Sequence, residues 1–320
     1  MKKNILLISV AILFFCVING SRAETCGYDR WSQTDCRGGI PKNDNDEYIC
    51  GTGCTFTIVG DTLKVKANSA NATIDYGIFS PIYYSGGKVI NSAGQEINFN
   101  KIELDGDFAY IGNCAFNNSG ATITSKSGVL NVKDIGYKVF SADINYNTIV
   151  GSDVYISSNA AADAQSFQVA RINGDLVFAD GVTTINDWFM AYTRINGDVI
   201  IPDSVTNIKE GNFITLLDTL GEGHKVYCSA GNCYELFYNS CLKNTNALEV
   251  CLDKLNQLEQ KGQLSSYPEG CTKLGVGLEC STCANNNFKL SDGVCRRVRY
   301  TPAEAAEVAG ETNTIFLYYK

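Results

Sequence analysis

The amino-acid sequence predicts a mainly β chain, α+β overall, organised as a solenoid of stacked parallel strands between a cysteine-stapled β cap and a cysteine-rich tail. Three observations lead there. A near-identical block recurs after 23 residues, as Arg171-Ile-Asn-Gly-Asp175 and Arg194-Ile-Asn-Gly-Asp198. Short apolar runs between Asn-Gly and Asp-Gly dipeptides mark short strands between tight turns. The cysteines gather at the two ends of the chain and leave the middle almost free of them. Of the 320 residues, 45% are hydrophobic and 19% charged, which places the chain among folded, core-forming sequences.

The first 23 residues read as an export signal. Lys2-Lys3 form the basic start, Ile5 to Ile18 the apolar core, and Ser21-Arg22-Ala23 the small-residue site of cleavage before Glu24. No later run is long and apolar enough to span a bilayer, so no transmembrane segment is expected after cleavage. Removal of the signal leaves 23 basic against 34 acidic residues. A surface of that sign excludes nucleic acid as a partner, because phosphate backbones demand basic surface. A single histidine, His224, excludes multi-histidine metal sites, and no cofactor motif is present.

Residues 24–100 are expected to form the N-terminal cap, with Cys26, Cys36, Cys50 and Cys54 as disulfide candidates. Export implies an oxidising compartment. Cys228, Cys233, Cys241, Cys251, Cys271, Cys280, Cys283 and Cys295 make a second even set, and Cys114 is left as one buried thiol. Spacing alone does not choose among the 105 pairings of eight cysteines.

The solenoid is expected over residues 101–243. Leu176-Val-Phe-Ala-Asp-Gly-Val-Thr-Thr-Ile185 aligns with Val199-Ile-Ile-Pro-Asp-Ser-Val-Thr-Asn-Ile208, and Ile102 to Ile111 fits the same frame. Five residues beyond the isoleucines of the units stand Phe116, Phe140, Met190 and Phe213, and Phe167 fits a degenerate copy. Side chains alternate across a strand, so Leu176 and Phe178 point to one side. One unit cannot cover that side alone, and stacked units share it as a continuous core. Leu176, Val199 and Val226 should then lie side by side on adjacent parallel rungs.

Ile201-Pro-Asp-Ser-Val-Thr-Asn-Ile-Lys-Glu-Gly-Asn-Phe213 resembles the repeat unit of BspA-like leucine-rich repeat proteins. Ile111-Gly-Asn-Cys-Ala-Phe116 and Ile135-Gly-Tyr-Lys-Val-Phe140 match its second half, and Cys54 to Lys66 is similar to the β-hairpin that precedes the repeats in that family. The resemblance spans residues 50 to 228, with departures at 128–132 and 160–164. It implies a right-handed leucine-rich-repeat solenoid on a bacterial or protist surface protein, a role in adhesion to a protein or glycan ligand, and no catalytic residues. Under that phasing Glu103, Tyr155, Val177, Ile200 and Tyr227 face outward from a concave sheet and form the candidate ligand-binding row. Tyr155, Val177 and Ile200 should be exposed together; the competing reading is that a neighbouring segment covers them. Asp153, Asp175 and Asp198 precede successive strands, and each is expected to cap its own Asn-Gly turn.

Residues 244–320 form the tail. Leu248, Cys251, Leu252, Leu255 and Leu258 share one face of a helix over 245–260, suited to closing the end of the solenoid. Cys271, Cys280, Cys283 and Cys295 have the outline of a zinc ribbon, but in an exported chain they are expected to be disulfides, and no metal is expected. Thr301-Pro-Ala-Glu304 is a capping box that opens a short helix closed by Gly310, and 314–319 is a β-rich run. The expected function is therefore exported, non-catalytic recognition at the cell surface, in the periplasm or in the medium. The alternatives are a β-helix-type polysaccharide-cleaving enzyme using the aspartate row, and a structural envelope component.

Overall fold

The structure is a computed structural model of the chain. It describes residues 39–84, 87–142, 147–157, 165–186, 189–190, 192–209, 220–229, 233–243, 248–284, 288–299 and 314–316. The expected export signal, Cys26, Cys36, Phe213 and the expected capping-box helix fall outside these residues.

The fold follows from the short strands and the turns between them. Each coil of the repeat is bent at its turns into three sides, so its strands join separate ladders. The coil beginning at Arg171 places Arg171–Ile172 on the first face, Leu176–Phe178 on the second and Thr184–Ile185 on the third. On the first face the ladder runs through Lys101–Asp105, Thr122–Ser125, Ile149–Val150, Arg171–Ile172 and Arg194–Ile195, all parallel. On the second it runs through Val129–Val132, Asp153–Ile156, Leu176–Phe178, Val199–Ile201 and Val226–Cys228. The third is shorter, pairing Thr184–Ile185 with Asn207–Ile208. The result is a parallel β-solenoid of about four turns. Leu176 is in register with Val199, and Val199 with Val226, and all three are fully buried.

The solenoid begins on a hairpin. Cys54–Val59 and Thr62–Ala67 pair antiparallel around Gly60-Asp61, and Thr62–Ala67 then pairs in parallel with Lys101–Asp105. The hairpin therefore supplies the template strand onto which the first coil is laid. Cys50 and Cys54 are joined by a disulfide that closes the turn before it.

Corner geometry shifts one expected alignment. Ile102 is in register with Ile123 on the first face, while the second-face position of that coil is taken by Phe108, bridged to Val132. Glu103 is thus one face away from Tyr155, Val177, Ile200 and Tyr227. The ten-residue frame matches both segments, but the shorter corner between Phe108 and Ile111 moves the start of the unit back around the bend.

Along the axis the interior is an aromatic column. Phe56, Phe79, Phe116, Phe140, Phe167 and Phe189 follow one another at ring-centroid spacings of 5.4, 5.4, 5.3, 4.9 and 5.3 Å. These spacings are close to the strand separation, so one ring per coil keeps pace with the rise of the ladder. At the last step backbone and side chain part company. The Phe167 N–H donates to the Phe189 carbonyl as the Phe140 N–H donates to that of Ser166, which keeps Met190 in the backbone phase expected for it. The ring that continues the column nevertheless comes from Phe189, and Met190 packs beside it in the core.

Two helices close the far end. Cys233–Leu242 (α1) was not anticipated from the sequence, although Cys233, Phe237 and Cys241 recur every four residues and all three are buried. Leu248–Gln260 (α2) buries Cys251, Leu255 and Leu258, as its pattern requires. Disulfides Cys228–Cys233 and Cys241–Cys251 tie the last coil to α1 and α1 to α2. The chain then returns to the second face, where Leu264–Ser266 adds a further parallel strand beside Val226–Cys228. No helix among the described residues is long and apolar enough to cross a membrane.

Truncating a ring in the middle of the column tests this packing. Phe140→Ala is expected to cost about 3–5 kcal/mol in denaturant unfolding, since it leaves a gap between two stacked neighbours that cannot close without bending the ladder. Met190→Ala, one step outside the ring column, is expected to cost about 2–5 kcal/mol and to leave the Phe167–Phe189 contact in place.

Candidate functional site

Register on the second face lines up Asn131, Tyr155, Val177, Ile200, Tyr227 and Ser265 as the outward row. Four of the five expected ligand-binding residues are therefore together, but they are not exposed. Val177 and Ile200 are completely buried beneath Tyr267, Cys271, Leu274, Cys280 and Cys295, with Tyr155 and Tyr227 packed at the margin. After Leu264–Ser266 the chain turns at Tyr267-Pro268 and lays the cysteine-rich module back over the sheet. The uncharged row is the floor of an internal interface, which corrects its reading as an open surface.

The module is a small stack of strands, Cys271–Leu274, Cys280–Cys283, Phe288–Ser291 and Val294–Arg299, with Thr314–Phe316 paired to the last. Disulfides Cys271–Cys280 and Cys283–Cys295 hold it together. All eight cysteines of the tail set thus pair among themselves. Cys114 departs from expectation: it is buried and disulfide-bonded, with a partner outside the described residues. Counting cysteines by cluster carries no information on spatial neighbours.

Polar contacts fix the module in place. The Tyr267 N–H donates to the Cys228 carbonyl at 3.2 Å, and the Lys273 ammonium lies 3.7 Å from an Asp180 carboxylate oxygen. The Gly277 N–H donates to Asp175 Oδ2 at 3.0 Å. Burial pushes the Tyr267 phenol well above its ordinary range, with Asp180, Asp203 and Tyr155 adding in the same direction. The Tyr227 phenol is raised too, first by burial and then by Asp198 and Asp175.

The aspartate row is a hydrogen-bond ladder. Asp153 Oδ1 accepts the Asp175 N–H at 2.8 Å, Asp175 Oδ1 accepts the Asp198 N–H at 2.8 Å, and Asp198 Oδ1 accepts the Lys225 N–H at 2.7 Å. Each carboxylate caps the corner of the following coil and not its own turn. Beside it, Asn196 Nδ2 donates to Asn173 Oδ1 at 2.9 Å. The glycines of the repeated motif serve the same close approach. A Cβ on Gly174 would lie 2.4 Å from Asp153 Oδ1, and one on Gly197 would lie 2.2 Å from the Gly174 carbonyl oxygen. Neither glycine is held in the left-handed region, so proximity between coils, and not the backbone angle expected of an Asn-Gly turn, selects glycine here.

Glu103 stands apart on the first face, opposite Lys64 and Thr124 in register, with its carboxylate 3.5 Å from the Lys64 ammonium. Its neighbours are rows running along the ladder: Lys101, Thr122, Ile149, Arg171 and Arg194, polar except at Ile149, then Asn173 and Asn196. All are half-buried or exposed. His224 lies at the end of the solenoid, 3.7 Å from Asp198, beside an open pocket of about 510 Å³ lined also by Leu220, Lys225, Lys261 and Gln263. No family model, no curated protein and no solved structure matches this chain.

Two measurements follow from this geometry. Asp175→Ala is expected to destabilise the fold by about 1–3 kcal/mol, because it strips the acceptor from the amides of Asp198 and Gly277, while Asp175→Asn keeps one acceptor for the Asp198 amide, loses that of the exposed Gly277 and should cost less. The raised Tyr267 phenol favours the folded state while the unfolded phenol is still protonated, up to about pH 10. Stability contributed by this group is expected to fall as pH rises beyond that point toward the folded-state value, and Tyr267→Phe should remove that part of the alkaline slope in thermal unfolding.

Proposed function

We propose that this chain is an exported, non-catalytic recognition protein, a right-handed leucine-rich solenoid of BspA-like type acting at the cell surface or in the surrounding medium. The first face is its contact surface for a protein or glycan. The observation that carries this reading is the contrast between the two long sheets. The second face is covered by the chain's own tail, whereas the first presents the Arg171–Arg194 and Asn173–Asn196 pairs one strand apart, with Lys101 and Thr122 further along the same ladder. Rows of hydroxyl, amide and guanidinium groups at a fixed repeat suit extended ligands with repeating polar groups, such as glycan chains or polypeptide segments. Five disulfides among the described residues support an oxidising destination.

The polysaccharide-cleaving alternative needs Asp175 and Asp198 free to face a sugar ring. Against it stand the backbone amides that their Oδ1 atoms accept and the Gly277 N–H held by Asp175 Oδ2. Charge reversal on the open face tests the recognition reading. In a screen of the purified protein on glycan and matrix-protein arrays, Arg171→Glu with Arg194→Glu is expected to weaken any captured ligand by at least about tenfold, equivalent to roughly 1.4 kcal/mol. Unchanged capture by that variant would refute the first face as the contact surface, and polysaccharide cleavage abolished by Asp175→Asn would replace recognition with catalysis.

A further inference from the structure

We propose that the four cysteines of the tail module form a second, alternative centre: a tetrathiolate site for a soft divalent cation such as zinc, formed when the two disulfides are reduced. In the structure the sulfurs of Cys271, Cys280 and Cys295 all lie within 4.8 Å of one another, and that of Cys283 is bonded to Cys295. The two disulfides are in contact, with Cys280 Sγ 3.2 Å from Cys295 Sγ, although they join different pairs. Three of the four sulfurs thus form one cluster, and the fourth, on Cys283, is joined to it through Cys295. A tetrahedral zinc ion with bonds of about 2.3 Å requires sulfur–sulfur edges of about 3.8 Å. The three clustered sulfurs already lie on that scale, and breaking the Cys283–Cys295 bond leaves the Cys283 sulfur next to them as the fourth ligand.

The backbone supports the same outcome. The four ligands come from three strands: Cys280 and Cys283, with two residues between them, from one, Cys271 from the strand paired with it, where it is in register with Cys283, and Cys295 from a strand of the neighbouring sheet. Cys271, Cys280 and Cys295 are buried, which limits competition from water. A tetrathiolate–zinc unit carries a net charge of −2.

The chemistry balances as follows. A dithiol reductant donates two electrons and two protons to each disulfide, breaking Cys271–Cys280 and Cys283–Cys295 and becoming a disulfide itself. The four resulting thiols release four protons as their sulfurs bind the cation. Either state keeps the module folded over Val177 and Ile200, so the cover persists on both sides of a change in redox environment.

The test uses the full chain, reduced with excess dithiothreitol under anaerobic conditions, freed of reductant and exposed to Zn²⁺ or Co²⁺. The expected result is one tightly held ion per chain, with thiolate-to-cobalt charge-transfer absorption. That ion should be lost in Cys280→Ser with Cys295→Ser and kept in Cys228→Ser with Cys233→Ser. Because a serine variant of the module can fail to fold, disulfide mapping of the wild type provides a second readout. After reoxidation in air, zinc should block re-formation of Cys271–Cys280 and Cys283–Cys295 while the remaining described disulfides return. Absence of a bound ion, equal retention by both double variants, or unhindered return of the two module disulfides in the presence of zinc would each overturn the proposal.

Discussion

Everything in this molecule rests on coils approaching one another to the spacing of hydrogen-bonded strands. Parallel ladders satisfy the backbone along the faces, but they leave the corners, where the chain bends and amides would point at nothing. The aspartates at 153, 175 and 198 answer that need by reaching forward one coil and accepting the next corner's N–H. A buried or half-buried amide without an acceptor costs as much as several favourable contacts contribute, so the corners decide whether coils stack at all. The glycines at 174 and 197 are the other half of the same constraint, since any side chain there would hold the coils apart.

With the spacing fixed, the interior follows. A side chain pointing inward on one coil meets its counterpart on the next at strand distance, which is also a good stacking distance for aromatic rings. The phenylalanine column is therefore a consequence of the ladder and also a brace for it. The two ends need different solutions. At the start, an antiparallel hairpin offers a strand whose outer edge can accept a parallel neighbour. At the finish, two disulfide-tied helices cover the exposed apolar end, and the chain contributes a last strand before folding over the second face.

Much of this was legible in the residues. Exact recurrence of Arg-Ile-Asn-Gly-Asp fixed the period, and the alternation around Leu176, Val199 and Val226 fixed which side chains meet. Other features were not legible, for reasons that can be named. Periodicity reports how often the chain returns but not how many corners it turns, so Glu103 was grouped with residues one face away. An apolar outward row reads the same whether it awaits a partner or lies beneath the chain's own tail, and the tail that covers Val177 and Ile200 lies about 70 to 120 residues further along. Helix α1 was hidden because its cysteines spoke for disulfides before its four-residue spacing spoke for a helix. The link from Cys114 depended on spatial adjacency, which no count of cysteines contains.

The covered row also bears on how the chain must mature. Val177 and Ile200 are surrounded only once residues near the C-terminus have been made, so the stacked coils emerge first with a water-exposed greasy strip flanked by two tyrosines. Until residues 264–299 close over it, that strip meets water, and their folding back is what converts an open apolar row into part of the interior.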